Sequence, residues 1–254
     1  NIKGLRAFND KNERLALRKT RKDTWKVDCE ASAFVRVEYS YYAAELNAGS
    51  SYLDEQQLYI NPVNCFLYPQ ATENLGFEIQ LHLPAHWEIA SGLHFQDNKT
   101  VVANFDQLAD SPFICSGQIQ RNSYEVNGIT FHICFNNQKQ IPWEKVLEDF
   151  KRFTQQQIAD FGEFPVPEFT FLIQSVPYAA YHGVEHLNST VIALGPSSEV
   201  FTTLYTELLG VSSHELYHVW NIKSIRPAEL HPYDFKQENY SEAGFIYEGV
   251  TTYM

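Results

Sequence analysis

Between residues 25 and 136, apolar and polar positions alternate in short runs rich in β-branched and aromatic side chains. The runs at 33–42, 57–60, 77–83, 100–105, 114–119 and 129–135 are separated by turn formers such as Asn47-Ala48-Gly49-Ser50 and Asn127-Gly128. That pattern predicts an all-β region. The period changes after Pro142. Val146, Phe150, Phe153, Ile158 and Phe161 recur at helical spacing, Pro142 suits a first helical turn, and Gly162 ends the pattern. Runs at 169–176 and 190–194 read as buried strands, the second as an edge strand. A helix over 200–222 follows, with Leu204, Leu208, Val211, Leu216, Val219 and Trp220 as apolar anchors, and Pro227 and Pro232 stop it. The last helix starts near Asn239, with Glu242 as its capping-box partner, and runs through Glu248 to the chain end. The fold class expected is α+β, with a β-rich domain at 1–137 and a second domain at 138–254. The sequence stops inside a fold and reads as a fragment.

Composition narrows the function. With 44% hydrophobic and 15% aromatic residues, the 254-residue chain can fill real cores. A net charge of -12 has the wrong sign for a protein that must neutralise phosphates, so nucleic acid is excluded as the expected partner. The exception is a basic stretch from Lys3 to Lys26, whose alternating Leu5, Phe8, Leu15, Leu17, Trp25 and Val27 predict a half-buried hairpin with a solvated basic face. No apolar run approaches membrane-spanning length, and the first residues lack a signal-peptide stretch. A cytoplasmic setting is favoured, with periplasmic or secreted settings left open because a signal upstream of Asn1 would be invisible. Cys29, Cys65, Cys115 and Cys134 are too scattered for a cysteine zinc site or a disulfide framework, and are expected as four free buried thiols.

Chemistry concentrates at His214-Glu215-Leu216-Tyr217-His218. On a helix, His-Glu-x-x-His sets two imidazoles one turn apart above one face. The intervening glutamate projects from an adjacent angle, where it can deprotonate a metal-activated water without being a ligand. Neutral imidazoles suit Zn²⁺, one ion with three protein ligands and a position for water. Candidates for the third ligand are Glu229, Asp234, Glu238, Glu242 and Glu248. The first two fall in a proline-rich connection, and the next two at a helix start, where acids serve as caps. Glu248 is expected in mid-helix, buried among Phe245, Ile246, Tyr247 and Val250, where a zinc ion would compensate its charge. Gly249 would leave room for a facing helix, and Thr252 could hydrogen-bond a ligating histidine.

The run from His214 to Asn221, with Lys223, Ile225-Arg226-Pro227, Leu230, Pro232, Asp234, Glu238-Asn239-Tyr240 and the Glu248–Tyr253 segment, resembles the signature of the M61 glycyl aminopeptidases. These are zinc peptidases of the gluzincin type. The resemblance takes in Leu108-Ala109-Asp110-Ser111-Pro112 and the segment from Gly183 to Ser189, and more loosely Asp23-Thr24-Trp25 and Tyr52-Leu53-Asp54. It implies a sandwich-like all-β domain followed by the sheet and active-site helix of a thermolysin-like zinc peptidase domain. It further implies removal of small N-terminal residues, glycine or alanine, from peptides with a free N-terminus. By motif, His214, His218 and Glu248 would bind zinc and Glu215 would be the general base. Gly183-Val184-Glu185-His186 stands where related M1 aminopeptidases carry Gly-x-Met-Glu-Asn. Glu185 is therefore implied to hold the substrate's α-amino group, with Gly183 beside it in the substrate site. The sequence departs from the family where Met254 follows Tyr253 in place of a second tyrosine, and it lacks the helical half of the domain that supplies an oxyanion-stabilising tyrosine. A zinc endopeptidase with the same ligands, and a non-catalytic peptide-binding fragment, are the alternatives.

Overall fold

A computed structural model describes residues 2–29, 32–70 and 74–253. The chain forms two compact units, one of residues 1–44 with 234–238 and one of residues 45–233 with 239–254. Their class is α+β.

In the first unit, β1 (Ile2–Phe8) pairs antiparallel with β4 (Arg36–Tyr41), and β2 (Leu17–Lys19) pairs with β3 (Trp25–Val27). The basic stretch is therefore not one hairpin. Its end forms a hairpin of two three-residue strands, and its start finds a partner further along the chain. The Arg36 guanidinium and the Lys19 ammonium lie over the rings of Phe8 and Trp25, at 4.9 and 5.2 Å, so each cationic head rests on an aromatic face. Cys29 is exposed, against the expected burial, and the other three cysteines are buried; none of the four is in a disulfide among the described residues, and Cys29 follows β3 outside any strand.

The second unit runs β5 (Tyr52–Leu53), β6 (Gln57–Ile60), α1 (Pro62–Cys65), β7 (Phe77–Gln80), β8 (Glu88–Ser91), β9 (Lys99–Val102), α2 (Phe105–Ala109), β10 (Phe113–Ser116), β11 (Gln120–Val126), β12 (Ile129–Asn136), α3 (Trp143–Phe161), β13 (Glu168–Ser175), β14 (Ala180–Glu185), β15 (Ser189–Gly195), α4 (Tyr205–Tyr217) and α5 (Gly244–Tyr253). Strands β5-β6-β10-β8 make one sheet and β11-β12-β13-β15-β14 another. β11 and β12, expected within the first domain, belong to the sheet that continues through β13 to β15. Asn127 and Gly128, both at positive φ, close their hairpin, as a two-residue turn of matching twist requires.

The five-stranded sheet is mixed: β12, β13 and β15 are parallel, and β11 and β14 are antiparallel edges. Its residues sort by the strand period. Phe131, Ile133, Phe169, Phe171, Ile192 and Leu194 face α3 and α4, whereas Cys134, Leu172, Val191 and Ala193 pack against Tyr59, Ala90 and Ile114 of the four-stranded sheet. Both faces are covered, which explains why β15 is buried along its whole length and β13 at every residue after Glu168. β15 is thus interior, and the edge is β14, a strand in the stretch between the two expected ones. Tyr181-His182-Gly183 has neither alternation nor the apolar density of its neighbours, because an edge strand is not buried on both faces.

The helix that carries His214 is shorter than its hydrophobic pattern. α4 ends at Tyr217, with His218 as its C-cap, and tighter i to i+3 bonds carry Val219 and Trp220 onward to a turn in which Ile222 takes φ 119°. Val219 and Trp220 are nonetheless buried, so the pattern records burial where the backbone has already left the helix. Likewise α5 begins at Gly244 and not near Asn239; the Ser241 hydroxyl accepts the Ala243 N–H there at 3.1 Å. Among the described residues no helix is long and apolar enough to cross a membrane.

Candidate metal centre and peptide-binding edge

α4 presents its polar groups from a firmly seated helix. Leu208, Val211 and Leu216 are buried on its core face, each contributing about 1.5–3 kcal/mol through burial. Gln157 of α3 donates to the Ser213 carbonyl and hydroxyl at 2.8 and 2.9 Å, immediately before His214. Past the helix end, Trp220 stacks on Phe161 at 4.6 Å and donates its indole N–H to the Glu163 carbonyl.

The Nε2 atoms of His214 and His218 lie 3.0 Å apart, and Glu248 Oε2 lies 3.5 and 3.7 Å from them. His218 donates its Nδ1–H to the Asn221 carbonyl at 3.0 Å, which leaves the Nε2 lone pair facing the other two groups. Burial and the neighbouring His218 lower the His214 pKa below the usual histidine value, against the pull of Glu248 and Glu185. Thr252 Oγ1 stands 3.5 Å from His214 Nδ1, at the long limit for a hydrogen bond. Glu248 reaches this point from an exposed helix: its side chain is 56% exposed, and Phe245, Ile246 and Val250 are exposed too. The expected burial of Glu248 among these residues is therefore wrong, and Gly249 meets no facing helix among the described residues. What brings α5 in is Asn221, whose amide donates to Tyr247 O and Thr251 Oγ1 at 3.1 and 3.0 Å.

Glu215 is buried behind the histidines, and its Oε2 has no hydrogen-bond partner among the described residues. Burial, with the Glu185 and Glu248 carboxylates beside it, pushes its pKa up to about 9. The His214 and His218 rings meet the Glu248 carboxylate with Glu185 and Glu215 beside them, and His, His and carboxylate are the ligands a zinc ion takes. The residues present fit that ion.

β14 forms the other wall. Glu185 ends the strand, and its carboxylate belongs to a second tight group with Glu215 and His218, all ligand-type atoms within 4.8 Å of one another. At Gly183, two residues earlier on the same face, an added Cβ would overlap the Glu215 carboxyl group, with Cγ at 2.7 Å, so only glycine lets the strand pass this close. The opposite face turns His182 and Val184 toward Gly49. Among the described strands β14 has a partner on one side only, leaving backbone N–H and C=O groups along the cleft for an extended chain. The structure thus brings His214, Glu215, His218, Glu248, Glu185 and Gly183 together. Sequence reasoning assigned no role to Asn221, Asp110 or Lys223. All three stand inside the resembling segments, but nothing in their local pattern marks their partners.

Residues 1–117 match the model of the peptidase M61 N-terminal domain, and residues 207–254 match that of the M61 glycyl aminopeptidases. Among solved structures, the aminopeptidase N family protein from Idiomarina loihiensis is similar at 28% identity with a TM-score of 0.90, over 99% of this chain and 45% of that one. An M1 zinc metallopeptidase from Deinococcus radiodurans aligns at 13% identity with a TM-score of 0.49, over 87% of this chain and 54% of that one. No curated protein matches. The chain spans less than half the length of the Idiomarina protein. With the two M61 models matching its beginning and its end, and that structure superposing along almost all of it, the chain belongs to the M61 peptidase family.

Proposed function

We propose that this chain carries the metal site and substrate edge of a zinc aminopeptidase that removes small N-terminal residues, glycine or alanine, from peptides. The observation that supports this most is the meeting of two carboxylates with separate tasks, Glu215 and Glu185, beside the His214, His218 and Glu248 cluster. Zn²⁺ held by His214, His218 and Glu248 would polarise the scissile carbonyl and acidify a water. The charge of that ion would counter the burial and neighbouring carboxylates that raise the Glu215 pKa, and the ionised Glu215 would take the proton of the attacking water on its partnerless oxygen and deliver it to the leaving amine nitrogen. Glu185 receives the substrate's α-ammonium, and the charged hydrogen bond fixes the first peptide bond over the site. Gly183 keeps the strand low enough for the peptide backbone to lie along β14. The preference for small residues rests on the family's description as glycyl aminopeptidases.

The test compares free and N-acetylated peptides of one sequence on the intact enzyme. Cleavage of the free peptide at its first bond, with the acetylated one resistant, is the expected result. Equal cleavage of both would remove the ammonium from recognition and leave a zinc endopeptidase.

A further inference from the structure

Glu185 is the last residue of β14, and the tight turn that follows it, closed by the His186 N–H on the Ser189 carbonyl at 3.0 Å and tied by Asn188 to the Gly92 carbonyl at 2.8 Å, also receives a carboxylate from a distant part of the chain. Asp110 closes α2, its own N–H bonded to Asp106 O at 3.1 Å. Its Oδ2 accepts the Leu187 N–H at 3.0 Å, and its Oδ1 accepts His186 Nδ1–H at 3.0 Å and the Lys223 ammonium at 2.8 Å. His186 and Leu187 are the two residues after Glu185. Lys223 belongs to the turn after the metal helix, and its main-chain N–H donates to the His218 carbonyl at 3.0 Å. The Lys223 and His186 side chains are only 8% and 5% exposed, so these are charged hydrogen bonds with little competition from water. Ile222, a β-branched residue at φ 119°, adjoins Lys223, a strained backbone that persists only where its surroundings over-determine it.

We propose that Asp110 is a positioning residue for substrate recognition: by binding the turn after Glu185 and the turn after His218 at once, it sets the distance between the amine-binding carboxylate and the metal ligands. The claim rests on the reading of Glu185 as the ammonium site. Two points separate it from general packing. Both oxygens of one side chain are used, one on the main chain beside Glu185 and one on the side chain that leads back to His218. The carboxylate also comes from the region of the N-terminal domain, so residues far from the metal motif fix the geometry of the amine end.

The experiment measures inhibition of the intact enzyme by glycine hydroxamate and by acetohydroxamate. Both offer the same metal-binding group, and only the first carries an α-ammonium. Asp110→Asn is expected to raise the Ki of glycine hydroxamate by ~10-fold, the lower end for losing a well-placed charged hydrogen bond, while that of acetohydroxamate stays within about twofold. Glu185→Ala should show the same selective loss, and adding Asp110→Asn to it should change little further, because the two act on one contact. If Asp110→Asn leaves Lys223 too poorly compensated to fold, the double variant Asp110→Asn/Lys223→Met, which removes both charges, is read in its place. Equal weakening of both inhibitors, or a fall in melting temperature with inhibition unchanged, overturns the positioning role. A selective loss in Glu185→Ala with none in Asp110→Asn does so as well, while leaving the ammonium site intact. No selective loss in either variant overturns both readings together.

Discussion

The two helices that meet at the metal site are built differently. α4 is held on one face by Leu208, Val211 and Leu216 and tied to α3 through Gln157, and the turn after it is anchored by Val219 and Trp220. α5 buries only Thr251, exposes Phe245 at 78% and Tyr253 at 89%, and is joined to the turn after α4 by the side chain of Asn221. The histidine pair and the proposed base Glu215 therefore sit on scaffold that exists for reasons of folding. Glu248 sits on an element whose place depends on a few polar contacts. The proposed ligands are unevenly preorganised: two are held by the core, and the third is brought to them by α5.

The largest test of this contrast concerns the base. Glu215→Gln keeps the shape of a buried side chain on the rigid helix, so it should leave metal content unchanged and lower turnover by ~10²–10⁴-fold, the worth of a positioned proton acceptor. Metal analysis beside steady-state kinetics checks both halves. Near-normal turnover would remove Glu215 from the reaction.

Stability should divide along the same line. Leu208→Ala empties a fully buried site under α4 and should cost ~2–5 kcal/mol in denaturant unfolding. Val250→Ala, on the exposed side of α5, should lie within about 0.5 kcal/mol of wild type. Similar losses from the two would show that α5 is packed as α4 is, and the comparison would fail.

The sequence made the α4 side legible and misled on α5, for the same physical reason. Hydrophobic period reports burial. It located α3 from Val146, Phe150 and Ile158, and it located β12, β13 and β15, because these elements bury their side chains against one another. It carried α4 too far, since Val219 and Trp220 remain buried after the helical bonds tighten and turn. It missed β14, whose edge position leaves Tyr181 exposed and whose Gly183 serves the approach of Glu215 and no strand pattern. Glu248 is expected from the sequence as a buried side chain, whereas the structure brings it beside His214 and His218 from an exposed helix. The spacing of His214 and His218 was informative because it is a local property of one helix. Asp110, Asn221 and Lys223 act across the fold, through partners that no local pattern reveals.

A smaller effect is expected with pH, again on the α4 side. Burial would raise the Asp110 pKa, but the Lys223 ammonium and His186 outweigh it and hold the carboxyl at about 2, below its ordinary 3.8. A carboxyl depressed on folding stabilises the native state above its unfolded pKa, and that stabilisation is lost as pH falls through the folded value. The melting temperature should therefore drop between about pH 4 and pH 2, with Asp110 contributing on the order of 2 kcal/mol. In Asp110→Asn that part of the acid slope should be missing. An unchanged slope in the variant would place the acid sensitivity elsewhere.

The most direct test of the central claim is metal stoichiometry in the purified protein, measured by elemental analysis for wild type and for His214→Ala, His218→Ala and Glu248→Ala. One zinc per chain is expected in wild type. Zinc should be lost outright on removing either histidine and bound more weakly on removing Glu248, because the imidazole pair is fixed by the core and the carboxylate is supplied by α5. Full zinc occupancy in a His214→Ala/His218→Ala double variant, or a wild-type protein that binds no zinc when supplied with it, would contradict the assignment.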